Sequence, residues 1–529
     1  MEAPALLTGD LATAREGRVR LRRWHRFPPV LLGLACIAAA LMAVPVVAVV
    51  VQALTVGGAQ ARSVLQRPLL PTLLLHTVEL TVLVGIGCAV VGVGAAWAVE
   101  RTDLPGRKAF RLLLVLPLAV PEFVAGFGWV SLFPAVQGLK GAALVMTFTL
   151  YPWVYLPVAA SLRDADPATE DVARTLGLGP VARFFRVTVP GIRFALLGGV
   201  LISSLYLLAE YGAFSILRFQ TFATAIFTEY SLRFNGQTAS LFSLILCLLG
   251  VGLLLGEYRL RGKARRVRWG STHRPAAPVR LGKAAPAVGL ALAAVVLLGL
   301  GVPVGAIAYW MIRNPPTTLP PASIVAATLQ TLGLSGIAAV VTTTLALPVA
   351  LLTVRYPGRL SEWIERSSYL VRALPGIALG LTFVTIAVRR LPAIYQSTFL
   401  LEAAYVVLSF PLALVAVRAA LTRVPAVLEN TARTLGSTPK AVLFRVTLPL
   451  IAPGLGAAAA LVWLAATTEL TATLLLRPTG LQTLATRFWS YSSGLAYGAA
   501  APYAALMLAT SAVPTLLLIR LRVFQSKRP

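Results

Sequence analysis

Residues 170–190 read EDVARTLGLGPVARFFRVTVP, and residues 429–449 read ENTARTLGSTPKAVLFRVTLP. The two stretches align without a gap, and thirteen of the twenty-one positions are identical. The matches are not common apolar filler. They include Glu170 with Glu429, Arg174 with Arg433, Gly177 with Gly436, Pro180 with Pro439, Arg186 with Arg445 and Pro190 with Pro449. A repeat this clear, about 259 residues apart in a chain of 529, means two copies of one unit, each with a polar segment inside an apolar half.

The rest of the chain gives the class of that unit. Hydrophobic residues make up 57% of it and charged residues 12%, and the mean hydropathy is +0.80. A soluble domain carries roughly twice that charged fraction. Long apolar runs recur along the whole length, which predicts a multi-span helical membrane protein. The net charge of +28 would suggest nucleic acid in a soluble protein. In a membrane protein it follows from basic cytoplasmic loops, so the lipid bilayer is the expected partner and nucleic acid is not. Cys36, Cys88 and Cys247 lie inside apolar runs without pairing and read as small buried hydrophobes. His25, His76 and His273 are scattered, and no metal-ligand cluster is legible.

Twelve spans are expected, near 28–55, 73–99, 110–133, 142–162, 192–217 and 237–258, then 284–312, 324–354, 367–388, 398–421, 451–476 and 495–521. Residues 1–27 form a basic tail, and 522–529 a second one. Between the halves (28–258 and 284–521) lies a linker, 259–283, with nine Lys or Arg and no acid. The N-terminal arginines, with Ala59-Gln60-Ala61 beyond the apolar run, look like a signal peptide. That run is about twice the length of a signal core, so an uncleaved first span is expected. Twelve spans with both termini in the cytoplasm put about 37 Lys and Arg inside and about 10 outside, the sign of the positive-inside rule. Both repeat copies then face the cytoplasm of a multi-pass cell-membrane protein. Six spans per half imply a pseudo-twofold axis along the membrane normal. Further pairs support the duplication: His76-Thr77 with Gln330-Thr331, Arg101 with Arg355, Leu116-Pro117 with Leu374-Pro375, and Pro105-Gly106 with Pro357-Gly358.

Within the repeated loops, 164–190 and 422–449, Thr169–Leu176 reads as a short helix ended by Gly177, where a positive φ suits glycine. Pro180 opens a second short helix over about 180–188, and Pro190 marks entry to the next span. Val181, Phe184, Phe185 and Val189 are too many apolar residues for a loop facing only water. They suit a loop packed on its own bundle or on lipid headgroups, or two equivalent grooves on a symmetric cytoplasmic partner.

The pattern resembles the EAA loop of type I ABC importer permeases: Glu-Ala-Ala, three residues, Gly, nine residues, then Ile-x-Leu-Pro. Gly177 is followed after nine residues by Val187-Thr188-Val189-Pro190, and Gly436 by Val446-Thr447-Leu448-Pro449. The Glu-Ala-Ala positions hold Asp171-Val172-Ala173 and Asn430-Thr431-Ala432, with Glu170 and Glu429 one place earlier. The resemblance implies an all-α transmembrane fold of about twelve helices in two pseudosymmetric six-helix halves. It implies coupling loops (Glu170, Asp171, Ala173, Gly177 and Pro190; Glu429, Asn430, Ala432, Gly436 and Pro449) docked on two copies of an ATPase. It also implies an extracytoplasmic substrate-binding protein. The chain has no G-x-x-x-x-G-K-[ST], so ATP hydrolysis is expected from a separate subunit. The chain itself is expected to be no enzyme and to need no cofactor.

For the cargo, carboxylates inside spans are the suspects. Glu210 and Glu469 occupy matching places in the fifth span of each half, whereas Glu79 and Glu122 have no acidic counterpart. A carboxylate lining a pathway suits a cation or a hydrated metal; a helix-packing hydrogen bond is the alternative, and packing or an interfacial position is the preferred reading for Glu79 and Glu122. The segment AEYGAFSILRFQTFATAIFTEY, 209–230, is similar to the fused ferric-iron permeases, with Thr221-Phe222-Ala223-Thr224 as the Thr-Phe-x-Thr element. Thiamine, polyamines, phosphonates and sulfate-like anions remain as other cargoes. An ion-coupled secondary transporter and a non-transporting scaffold are the alternatives of other classes.

Overall fold

The computed structural model describes residues 28–163, 165, 167–261, 278–314 and 321–525. The N-terminal tail, most of the linker, Asp164 and Asp166 of the first loop, and the last four residues lie outside the described residues. The described chain is helical throughout, with one isolated bridge between Thr102 and Val279.

Ten helices are long and apolar enough to cross a bilayer, from Pro29–Leu54 to Tyr497–Leu516, among the described residues. The pair Arg107–Ala119 and Glu122–Leu132, bent by 94°, is a broken span or a re-entrant loop and brings the number to at most eleven. The twelve expected spans are therefore corrected at the third and ninth. Each has a short helix with exposed charge (Arg107–Leu113 or Arg359–Leu370), a 3₁₀ turn, and then a second helix (Glu122–Leu132 or Gly376–Arg390). The chain extends at Val120 (φ −91°, ψ 114°) and Pro121 (φ −59°, ψ 144°). It does the same at Leu374 (φ −89°, ψ 116°) and Pro375 (φ −62°, ψ 147°). A residue before proline is driven out of the helical region, which sets the break.

These angles also correct the register. Val120-Pro121, not Leu116-Pro117, is the counterpart of Leu374-Pro375. The same shift already relates Thr77 to Thr331 and Arg101 to Arg355. The fifth and eleventh spans begin and end earlier than expected as well. Their helices end at Ala209 and Thr467, and short helices Gly212–Ile216 and Thr471–Leu476 follow.

The second short helix of each loop is not separate. It starts at Pro180 or Pro439 and passes through a π turn, Phe184–Thr188 or Leu443–Thr447. It then continues into the span Val189–Ala209 or Leu448–Thr467. Pro190 and Pro449 stand just past that wide turn. Proline lacks the N–H that would close a normal α turn and crowds the carbonyl four residues back, and a widened turn relieves both.

The halves are interlocked. The first helix, Pro29–Leu54, buries Ala35, Ala38, Ala39 and Met42 against Leu334, Ala338, Ala346 and Ala350 of the second half. Its counterpart, Gly282–Arg313, packs Leu292 and Ile307 into the core of the first half. Contact there is close, since a methyl group on Gly128 would lie 2.7 Å from the Cα of Pro303. Helices in lipid associate by such small-residue packing because lipid tails give them no hydrophobic reason to.

Candidate functional site

Between the halves lies a cavity of about 200 Å³. Its wall takes Pro121, Glu122, Trp153, Tyr206 and Glu210 from the first half, and Arg372, Gly376, Tyr405, Glu469 and Thr471 from the second. Glu210 and Glu469 stand where the fifth span of each half breaks. Each carboxylate caps the short helix that follows. Glu210 Oε1 accepts the Ala213 N–H at 2.6 Å, and Glu469 Oε1 accepts the Ala472 N–H at 2.9 Å. The cap takes one of the four backbone donors that a helix start leaves free, and negative charge suits that end of the helix dipole. The pathway and helix-packing readings of these two residues thus coexist in one geometry.

Glu122 opens the second helix of the broken third span and lines the same cavity. The preferred packing reading for it is therefore incomplete. In the corrected register its counterpart is Gly376, where a methyl group would sit 3.2 Å from Glu469 Oε1. The second half gives up a carboxylate at that place, and Glu469 approaches instead. Glu79 lies exposed on its helix and is not part of the cavity wall.

Arg372 lies inside the expected ninth span, 367–388, and is a site residue that the sequence reading missed, because that reading weighed only carboxylates within spans. The structure brings it into the cavity wall, where its counterpart in the corrected register is Leu118, also lining. Among the described residues it forms no ion pair with a carboxylate. Trp153 and Tyr206 stack at 4.9 Å on one wall. On the other, Tyr405 Oη lies 2.7 Å from Thr473 Oγ1. Among the described residues no three His, Cys, Asp or Glu side chains gather closely enough to hold one metal ion. The carboxylates are therefore spread around the cavity wall and not gathered into a chelating cage.

The repeated loops present two faces. Their helices, Pro167–Thr175 and Ala426–Thr434, end in Schellman turns at Gly177 (φ 76°) and Gly436 (φ 84°). Leu178 N–H donates to Ala173 O at 3.1 Å and Ser437 N–H to Ala432 O at 3.0 Å. The inner face holds the acids. Glu170 pairs with Arg101. Glu429 accepts from Arg355 Nε at 3.0 Å and Nη2 at 2.8 Å, and from Thr447 Oγ1 at 3.1 Å. Each arginine is the last residue of the second span of its own half. The outer face carries Asp171 and Asn430, both exposed, with Ala173 buried and Ala432 half-buried beneath. It also leaves apolar side chains uncovered: Val172, Leu176, Val181 and Phe185 in one copy, and Val427, Leu428, Leu435 and Phe444 in the other. Pro190 and Pro449 lie at the root, exposed.

The sequence profile of a family described as the binding-protein-dependent transport system inner membrane component matches residues 342–528. Over nearly the whole chain there is similarity to the Fe(3+)-transport system permease protein FbpB 2 of Haemophilus influenzae. The two are 36% identical over 501 residues, 93% of this chain and 98% of the relative. The chain belongs to this family of permeases. Sulfate transport system permease proteins are also similar. CysW of Escherichia coli is 30% identical over 207 residues, 35% of this chain and 70% of the relative. CysT of Salmonella typhimurium is 31% identical over 189 residues, 33% of this chain and 68% of the relative. A binding-protein-dependent permease is a multi-pass membrane component of a transporter and not an enzyme.

Proposed function

We propose that this permease forms the translocation pathway for ferric iron, with Glu210 and Glu469 as pathway carboxylates. One observation carries the reading. Glu122, Glu210 and Glu469 line one cavity at the junction of the halves, with Arg372 as the basic group in its wall. Ionisable groups inside a membrane are costly and face the path of what moves. The near full-length similarity to a permease named for Fe(3+) supports the same cargo. A sulfate-like dianion is disfavoured, because three carboxylates against one guanidinium would repel it.

An extracytoplasmic binding protein delivers the ion. Loops 164–190 and 422–449 lie in the cytoplasm with both termini and the linker, and dock on two copies of a separate ATPase. The uncovered Leu176, Phe185, Leu435 and Phe444 are the side chains for which docking is favourable, each worth about 1.5–3 kcal/mol on full burial. Closure of the ATPase pair draws the loops together. Each loop passes the motion inward through its Glu–Arg pair and through the continuous helix that starts at Pro180 or Pro439.

The test is uptake of ⁵⁵Fe by iron-starved cells with and without the chain. Uptake lost on deletion, restored by the wild type and not by G177V/G436V, is the expected result. Unchanged uptake in a strain with no second iron importer would remove iron as the cargo.

A further inference from the structure

We propose that Arg372 is a specificity-determining residue of the pathway, a tethered positive charge that keeps Glu122, Glu210 and Glu469 from retaining divalent ions. The inference rests on the cation-pathway reading above and adds the residue that sets which cations the cavity holds. Three features of the molecule carry it.

The first is the duplication. The counterpart of Arg372 is Leu118, and both line the cavity. The broken third span forms with either residue, so the fold of that element does not require a guanidinium. The second is the lack of a carboxylate ion pair on Arg372 among the described residues, although three acids share its cavity. An arginine inside a membrane that anchored helices would be expected to pair directly, as Arg101 and Arg355 do with their loop acids. The third is its position. Arg372 lies in the turn just before Gly376, the residue that approaches the Glu469 carboxylate. Along the chain it stands between the charged helix Arg359–Leu370 and the cavity-lining Gly376, on the exit side in the topology proposed above.

The electrostatics follow from these positions. An ion gains from the negative field in proportion to its charge, and in a cavity walled by protein that gain is several times larger than in water. One fixed positive charge removes a set share of the field. The loss is felt most by ions whose margin for retention is already small, so a divalent ion passes unheld while a trivalent ion is still held.

The experiment is equilibrium dialysis of the purified permease–ATPase complex against Mn²⁺ and, as a redox-inert trivalent probe, Ga³⁺. R372Q is expected to raise Mn²⁺ affinity at least about tenfold, and R372K to leave it at the wild-type level. L118R/R372L, which moves the guanidinium to the counterpart position, is expected to return Mn²⁺ affinity to the wild-type level. L118R alone should lower Ga³⁺ affinity, a readout that survives if R372Q does not assemble. Mn²⁺ affinity of R372Q within about twofold of wild type overturns the proposal, as does an L118R/R372L variant that behaves like R372Q. If R372Q does not assemble, unchanged Ga³⁺ affinity in L118R overturns it. Wild-type complex that binds no Ga³⁺ sinks the cation-pathway reading instead, and the Mn²⁺ comparison still reads Arg372.

Discussion

Arg355, the last residue of its span, grips Glu429 through Nε at 3.0 Å and Nη2 at 2.8 Å, and the same Nη2 reaches the Val424 carbonyl at 3.1 Å. One side chain thus fastens both the entry and the first helix of the second repeated loop to its own bundle. The Glu429 side chain is 5% exposed and that of Arg355 13%. Glu170, in the first loop, is 27% exposed.

The two loops should therefore differ in how strongly they depend on their ion pairs. R355M leaves the buried Glu429 carboxylate with only the Thr447 hydroxyl at 3.1 Å and the half-exposed Arg433 at 3.9 Å, a loss of up to about 3–5 kcal/mol. We expect it to lower the thermal midpoint of the purified chain and to cut transport by more than about tenfold, following that cost. The matching R101M should cost less, because Glu170 reaches more water. Thermal melts of the two variants side by side check the order.

Replacing Leu435 and Phe444 together by Glu should abolish co-purification of an ATPase with little change in the melting of the permease. Both side chains lie open to solvent, at 80% and 65% exposure. Substitutions at such sites usually change stability by less than about 0.5 kcal/mol. A pull-down on the tagged chain reads the outcome, and retention of the ATPase would count against docking at this face.

E210Q/E469Q separates the two roles of these residues. The amide oxygen of glutamine can still accept the Ala213 and Ala472 N–H groups, so the helix caps survive. Only the negative charge is lost. We expect ⁵⁵Fe uptake to fall by at least about tenfold while the melting midpoint stays near wild type. E210L/E469L should lose both uptake and about 1 kcal/mol per cap. If the Gln variant transports normally, these acids serve the fold alone.

G436V probes the loop turn. At φ 84° a β-branched residue is strained by about 1–2 kcal/mol. No neighbouring atom lies within 4 Å of an added Cβ, so the harm should stay in the backbone. Coupling should suffer while the membrane bundle stays folded. Uptake and thermal midpoint measured on one preparation give the comparison.

The repeat, the class and the polarity of the loops were legible because they rest on charged residues, glycines and prolines, whose placement has few physical explanations. The inward aim of Glu170 and Glu429 was not legible, since their arginine partners stand far back along the chain. The third span misled for a related reason. Leu116-Pro117 and Val120-Pro121 offer two prolines for one break, and only backbone angles choose between them. Glu122 and Arg372 could have been found by aligning the halves on Val120-Pro121. That register pairs one with Gly376 and the other with Leu118, and so exposes both as departures from the repeat. The crossing of the first helices left no trace, because Ala35, Ala38 and Ala39 would pack as well against any smooth apolar surface.

That crossing has a bearing on how the chain is made. Pro29–Leu54 emerges first, but the alanines and leucines it settles against, Leu334 to Ala350, follow roughly 290 residues later. At roughly 10 residues per second this helix waits about half a minute in lipid. Its wide exposure, including Val30, Leu34, Ile37, Val47 and Leu54, suits a helix that is stable there alone. Two unfused copies would have to exchange their leading helices after meeting, with every other copy in the bilayer a competitor. A single covalent thread removes that competition, and each leading helix is delivered to the partner with which it was translated.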